Sequence, residues 1–275
     1  MHSIMGITAI CSTLVIGSLA CSDGHPTGVP SGARDASDVA ASDNRGGHAP
    51  KMTVVLVHGA FADASGWQNL IPLLQHDGFN VIAVQNTLTS LANDIVTTQR
   101  VIDAQTGPLI VVGHSYGGAV ITGAAAGRSN VKSLVYVAAF APDANEPVGA
   151  FNESKPSSLG GALRPDAAGF LYIDTEQFHD VFAADLPMSQ TRIMAVTQKP
   201  LFANVFAESV PTPAWKTIPS WYVVASQDKA INPDLERFYA KRMGAKTTEV
   251  RSSHVPFISR PEQIEKVIRD AAGMR

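Results

Sequence analysis

Along residues 51–275, runs of consecutive apolar residues alternate with segments whose apolar positions recur every three or four residues. The run "MTVVLVHG" from Met52 is continuous and closed by glycine, which predicts a strand buried on both faces. In "ASGWQNLIPLLQHDG", Trp67, Leu70, Ile71 and Leu74 share one helical face and Gly78 ends it, so a helix is predicted. "FNVIAVQ" reads as the next strand, and "NDIVTTQRVIDAQTG" as a helix capped by Asn93 and stopped at Gly107. "PLIVVG" is a strand, "GGAVITGAAAG" a helix of small residues able to approach a sheet closely, and "VKSLVYVAAF" a strand again. Further on, "IPSWYVVAS", "NPDLERFYAKRMG" and "KTTEVRS" predict strand, helix and strand, with Asn232 capping the helix and Gly244 stopping it. "RPEQIEKVIRDAAG" is the last helix.

Strand alternating with helix predicts a mostly parallel α/β sheet, with helices on both faces and right-handed crossovers. The alternation lapses between about Ala141 and Pro213, where prolines recur and Phe170, Tyr172, Phe178 and Phe182 cluster. An insertion between two sheet strands reads as a cap or lid. Ligands of open α/β sheets bind beyond the carboxyl ends of the strands, so residues at those ends are the candidates for chemistry.

The first fifty residues follow another pattern. From Ile4 to Ala20 no side chain is charged. The stretch is short of the about 20 apolar residues of a membrane span and reads as a secretory signal over residues 1–20. Residues 21–50 are rich in Gly, Ser, Ala, Asp and Pro and are expected to form a flexible polar tether. The chain's two cysteines are Cys11 and Cys21, both outside the globular part, so no disulfide is expected there. "GSLA" before Cys21 resembles the lipobox of bacterial lipoproteins. That resemblance implies lipidation of Cys21 and a location in the cell envelope, with periplasmic or secreted release as the alternative. Ser18 stands where the lipobox has an aliphatic residue, and "MHS" carries no Lys or Arg. Of 275 residues, 45% are hydrophobic and 16% charged, with a net charge of -3, which argues against a nucleic-acid partner.

The candidate chemistry centres on "LIVVGHSYGG", Leu109 to Gly118. G-x-S-x-G directly between a buried strand and a small-residue helix is the context of a nucleophile elbow. Gly113 and Gly117 leave room for a strained backbone at Ser115, and the helix N-terminus offers free N–H groups and a positive partial charge. A serine nucleophile needs a base, and the base an orienting acid, following in the order Ser, acid, His. His254, after the last strand, is the expected base. His58 and His114 flank strand ends and read as loop supports, His76 as near solvent, His179 as a substrate contact from the cap; His2, His25 and His48 fall in the leader or tether. Asp228 in "WYVVASQDKAINP" is the expected acid, with Asp143 after "VYVAAFAP" as the alternative. The oxyanion donors are expected to be the backbone N–H groups of Tyr116 and Ala60, with Phe61 second to Ala60. No Cys/His metal spacing, phosphate-loop lysine or G-x-G-x-x-G is present, so no metal and no cofactor are expected.

Taken together, "VLVHGAF", "VVGHSYGG", "SQDKAINP" and "SSHVPFISRP" resemble the serine hydrolases of the α/β-hydrolase superfamily from about Lys51 onward. The branch that is most similar holds the methyl esterases and hydroxynitrile lyases. The resemblance implies an α/β-hydrolase fold, a triad of Ser115, Asp228 and His254, and oxyanion donors at Ala60 and Tyr116. A hydroxynitrile lyase would carry lysine where Val255 stands and threonine where Gly59 stands; both departures favour hydrolysis. The expected activity is cleavage of a small-to-medium apolar carboxylic ester through an acyl-enzyme. The alternatives are a lyase or cofactor-free perhydrolase on the same triad, or a ligand-binding protein without turnover. Phe61, Trp67, Tyr116, Phe140, Phe178, Phe182 and Phe206 are the candidate pocket residues.

Overall fold

A computed structural model describes residues 51–274; the leader, the tether and Cys21 lie outside the described residues. In chain order the elements are β1 (Thr53–Val57), α1 (Ile71–His76), β2 (Asn80–Val84), α2 (Leu91–Asp103), β3 (Leu109–His114), α3 (Tyr116–Ala124) and β4 (Val131–Val137). An insertion carries α4 (Leu159–Ala162), β5 (Leu163–Pro165), β6 (Phe170–Ile173), α5 (Phe178–Phe182), α6 (Met188–Thr197) and β7 (Leu201–Phe202). The chain then returns through β8 (Ser220–Ala225), α7 (Pro233–Met243), β9 (Lys246–Val250), α8 (Pro256–Ser259) and α9 (Pro261–Ala271).

The main sheet has six strands in the order β2-β1-β3-β4-β8-β9, every pair parallel. β1 and β3 are buried along their whole length, as unbroken apolar runs require when helices cover both faces. The edge strand β9 shows four exposed residues, Lys246 to Glu249, and such polar edges discourage pairing with another chain. The expectation of an α/β fold with a mostly parallel sheet is met in full.

Two helices differ from their sequence reading. The one expected from Ala64 splits into a 3-10 turn, Ala64–Asn69, and the separate α1. Pro72 is the cause: in a continuous helix its ring would meet the carbonyl four residues back, whereas the first turn of a new helix accepts it. α2 starts earlier than Asn93. Its cap is Ser90, whose Oγ accepts from Asn93 N–H at 3.1 Å. Glu208, from the insertion, takes the N–H groups of Leu91 and Ala92 at 2.9 and 3.3 Å, which satisfies the first turn.

Between β4 and β8 the chain leaves the main sheet for residues 138–219. This segment holds a small antiparallel sheet, β5-β6-β7, of strands two to four residues long. Pieces that short show no periodicity in sequence.

Candidate active site

Ser115 sits between β3 and α3 with φ 53° and ψ −123°, a region that an L-residue enters at a cost of about 1–3 kcal/mol. The surroundings hold it there. Its N–H donates to Val137 O and Ala138 O at 3.2 and 3.1 Å, and its carbonyl accepts from Gly118 and Phe140 N–H at 3.0 and 3.1 Å. The neighbouring glycines are demanded by close backbone approach. A Cβ at Gly113 would stand 2.6 Å from Gly117 O, one at Gly117 would stand 2.5 Å from Val57 O, and one at Gly118 would overlap Phe140 O. The glycine box therefore lets α3 begin against β1 and β4 while the serine projects from the turn.

His254 lies in the loop after β9 and Asp228 in the loop after β8, both buried. His254 Nδ1–H donates to Asp228 Oδ2 at 2.5 Å. Asp228 Oδ1 takes the N–H groups of Ala230 and Ile231 at 2.6 and 2.9 Å, so three donors orient this carboxylate. Asp143 stands elsewhere, paired with Lys216 and bonded to Ala144 N–H. His114, the residue before the serine, donates from Nε2 to the carbonyl of His254 at 2.8 Å. Its Nδ1 has no partner, and burial holds its pKa well below the ordinary histidine range, with the nearby His254 acting the same way. The Phe182 ring packs edge-on against His254, centroids 5.0 Å apart. Ser115 Oγ makes no hydrogen bond among the described residues.

Tyr116 is the first residue of α3, so its N–H has no intrahelical acceptor. Ala60 lies in the loop after β1, and that loop is pinned by His58. The ring donates from Nδ1 to Gly59 O at 2.8 Å and accepts Asn86 N–H at Nε2 at 3.0 Å. The Tyr116 hydroxyl donates to Asp94 Oδ2 at 2.9 Å, while burial and that carboxylate raise its pKa above the tyrosine range. Asp94 also gathers Thr87 and Leu88 N–H groups. Neither Asn86 nor Asp94 carries a local sequence signal for this role, since each looks like an ordinary polar residue near a helix start.

Ser115, Ala60 and Tyr116 open into one cavity of about 460 Å³. Phe61, Phe140 and Phe206 line it together with aliphatic residues of the insertion, and no charged side chain does. Four residues expected in the pocket, Trp67, Phe178, His179 and Phe182, do not line it. Trp67 is fully buried behind the site, its ring 4.3 Å from that of Phe257 and edge-on to His114. His179 bonds Thr191 at 3.1 Å and borders a separate pocket with Glu176 and Arg192. The reason is the rotation of α5: Phe178, Val181 and Phe182 form its buried face, which turns position 179 away. Phe178 packs on Phe182, 5.1 Å between centroids, and neither ring reaches the cavity wall. The cavity thus brings the Ser115 hydroxyl, the backbone of Ala60 and Tyr116 and an apolar wall together.

Comparison with known proteins bears on the family and the fold. The profile of the alpha/beta hydrolase family matches residues 54–267. A norfluorocurarine synthase 2 of a Strychnos species is 24% identical over 246 residues, covering 76% of this chain and 91% of that one. Polyneuridine aldehyde esterase of Rauvolfia serpentina is 22% identical, covering 78% and 94%. Among solved structures, a pyrethroid hydrolase from Sphingobium faniae JZ-2 superimposes with a TM-score of 0.71 at 23% identity, over 81% of this chain and 98% of that one.

Proposed function

The chain belongs to the alpha/beta hydrolase family, and on that premise we propose that it is a serine carboxylic-ester hydrolase acting through an acyl-enzyme on Ser115. The observation that carries this reading is the strained, cavity-facing Ser115 at the carboxyl end of β3, on the same end of the sheet as the buried His254–Asp228 pair. His254 takes the Ser115 proton as Oγ attacks the ester carbonyl, and Asp228 stabilises the imidazolium through Nδ1–H. The oxyanion rests on the Ala60 and Tyr116 N–H groups. Collapse of the tetrahedral intermediate expels the alcohol, which receives its proton from His254. Water, deprotonated by His254, then attacks the acyl carbon and releases the acid, restoring Ser115.

The uncharged, phenylalanine-rich wall of the 460 Å³ cavity supports a neutral, apolar ester of small to medium size. Hydrolysis is favoured over cyanohydrin cleavage by two positions. Val255 is a buried apolar residue, so no ammonium follows His254. A Cβ at Gly59 would stand 2.6 Å from Ser115 Cβ, which leaves no room for the threonine of a lyase.

The test is labelling of the protein with a fluorophosphonate, followed by peptide mass spectrometry and an ester screen. We expect an adduct on Ser115 that is lost in His254→Ala, and a loss of turnover of about 10³-fold or more in Ser115→Ala. An adduct at another residue, or Ser115→Ala within tenfold of wild type, overturns the assignment.

A further inference from the structure

Behind the Asp228 carboxylate stands a second one. Glu236, in the first turn of α7, is fully buried, and its carboxyl neighbours that of Asp228. Its Oε2 accepts the Ala225 N–H at 2.9 Å, while Oε1 meets no donor. Among the described residues no cation forms an ion pair with it: Arg237, next to it on the helix, is paired with Asp234 and Glu249. Tyr222 of β8 faces it, as does Asp228, and His254 lies beyond Asp228. Tyr239 on the same helix adds a hydroxyl and no charge.

Two ionised carboxylates cannot share such a contact out of water, so one of them carries a proton. The donor inventory decides which. Asp228 accepts from three donors, Ala230, Ile231 and His254, so both of its oxygens are already engaged as acceptors, whereas Glu236 Oε1 is free to carry the proton. Glu236 receives one. We propose that Glu236 is a positioning residue for the triad: it remains a neutral carboxylic acid and donates its O–H to Asp228, fixing that carboxylate against His254. Burial and the neighbouring Asp228 charge both push the Glu236 carboxyl well above the usual range. Were Glu236 ionised instead, a second negative charge would hold the proton on His254 more tightly and slow its transfer to the leaving alcohol. The proposal rests on the Ser115–His254–Asp228 reading above.

The experiment compares wild type, Glu236→Gln and Glu236→Leu for kcat/KM against pH on one ester substrate, with fluorophosphonate labelling of each. A glutamine keeps both roles, its amide N–H donating to Asp228 and its carbonyl accepting from Ala225. We expect Glu236→Gln to stay within about threefold of wild-type kcat with the acid limb of its pH profile unmoved. Glu236→Leu, of similar size but with no donor, is expected to lose about tenfold or more in kcat at unchanged KM, because Glu236 does not line the cavity. If the acid limb of Glu236→Gln moves down by about one pH unit, a negative charge has been removed and the proposal is wrong. Wild-type kcat in Glu236→Leu also overturns it. Should the leucine variant not fold, difference infrared spectroscopy supplies the second measurement. A protonated carboxylic-acid carbonyl band present at neutral pH in wild type and missing in Glu236→Gln upholds the proposal, and its absence from wild type refutes it. Failure of the triad itself shows differently, as loss of Ser115 labelling in wild type.

Discussion

Replacing Gly117 by alanine tests whether the glycine box is steric in origin. The added Cβ would lie 2.5 Å from Val57 O and 2.7 Å from His58 O. Both atoms are backbone at the end of β1, so neither can rotate away. A comfortable carbon–oxygen contact is about 3.3 Å, so the start of α3 must retreat by roughly 0.8 Å. Overpacking of this kind costs about 1–3 kcal/mol, and the rigidity of both neighbours puts this site near the upper end. For a domain of this size that is a fall in Tm of roughly 6–12 °C, read by thermal or urea unfolding. The same retreat carries the Tyr116 N–H away from the oxyanion position. A misplacement near 1 Å costs about 10²-fold, so kcat on the ester found by screening should fall by that order. Gly66→Ala is the control, because its Cβ would meet only Phe257 at an ordinary 3.6 Å and should change stability by less than about 0.5 kcal/mol. A Gly117→Ala protein with Tm within about 1 °C and kcat within about twofold of wild type would refute the steric account of the elbow.

Two further outcomes follow from the packing around the site. The pKa of His114 is lowered by burial, so the unfolded chain takes up a proton below about pH 6.5 where the folded one does not. That group's contribution is therefore present above pH 6.5 and lost as pH falls, at up to about 1.4 kcal/mol per pH unit. His114→Gln, which can still donate to the His254 carbonyl, should flatten the slope of unfolding free energy between about pH 6.5 and 5.5 by that amount; parallel slopes would sink the idea. Arg242 grips both Glu146 oxygens, at 2.6 and 2.9 Å, and Ala141 O at 2.6 Å, and lies over the Phe238 ring at 5.0 Å. Arg242→Lys cannot repeat the fork and should lose about 1–3 kcal/mol in urea unfolding; a change under about 0.5 kcal/mol would show that the fork contributes little.

Residues 51–275 declare their architecture in sequence because a strand buried on both faces must be apolar throughout, while a helix on that sheet must be apolar every three or four residues. Ser115 is legible for the same kind of reason. A glycine-boxed serine at a strand–helix junction reports a backbone clash that any side chain would create, and such a clash is local. What local pattern does not contain is the direction a residue faces once elements pack. Trp67 and His179 read as plausible pocket residues; the packing of Trp67 on Phe257 and the rotation of α5 turn both away from the cavity. Asp143 and Asp228 stand at equivalent strand ends in sequence, and only the neighbouring loop after β9 brings His254 to one of them.

The charged residues make the division plainest. Asp94, Glu208 and Glu236 look in sequence like ordinary solvent-facing helix or loop charges. In the folded chain Asp94 collects Tyr116 and the Thr87–Leu88 turn, Glu208 caps α2 from more than a hundred residues away, and Glu236 backs Asp228. The order of strands and helices in the main sheet and the place of the nucleophilic turn are written locally, because periodicity and backbone sterics act between near neighbours. Tertiary structure alone decided which acid meets His254 and which carboxylates go inside. The energy of a buried charge depends on donors that arrive from distant parts of the chain.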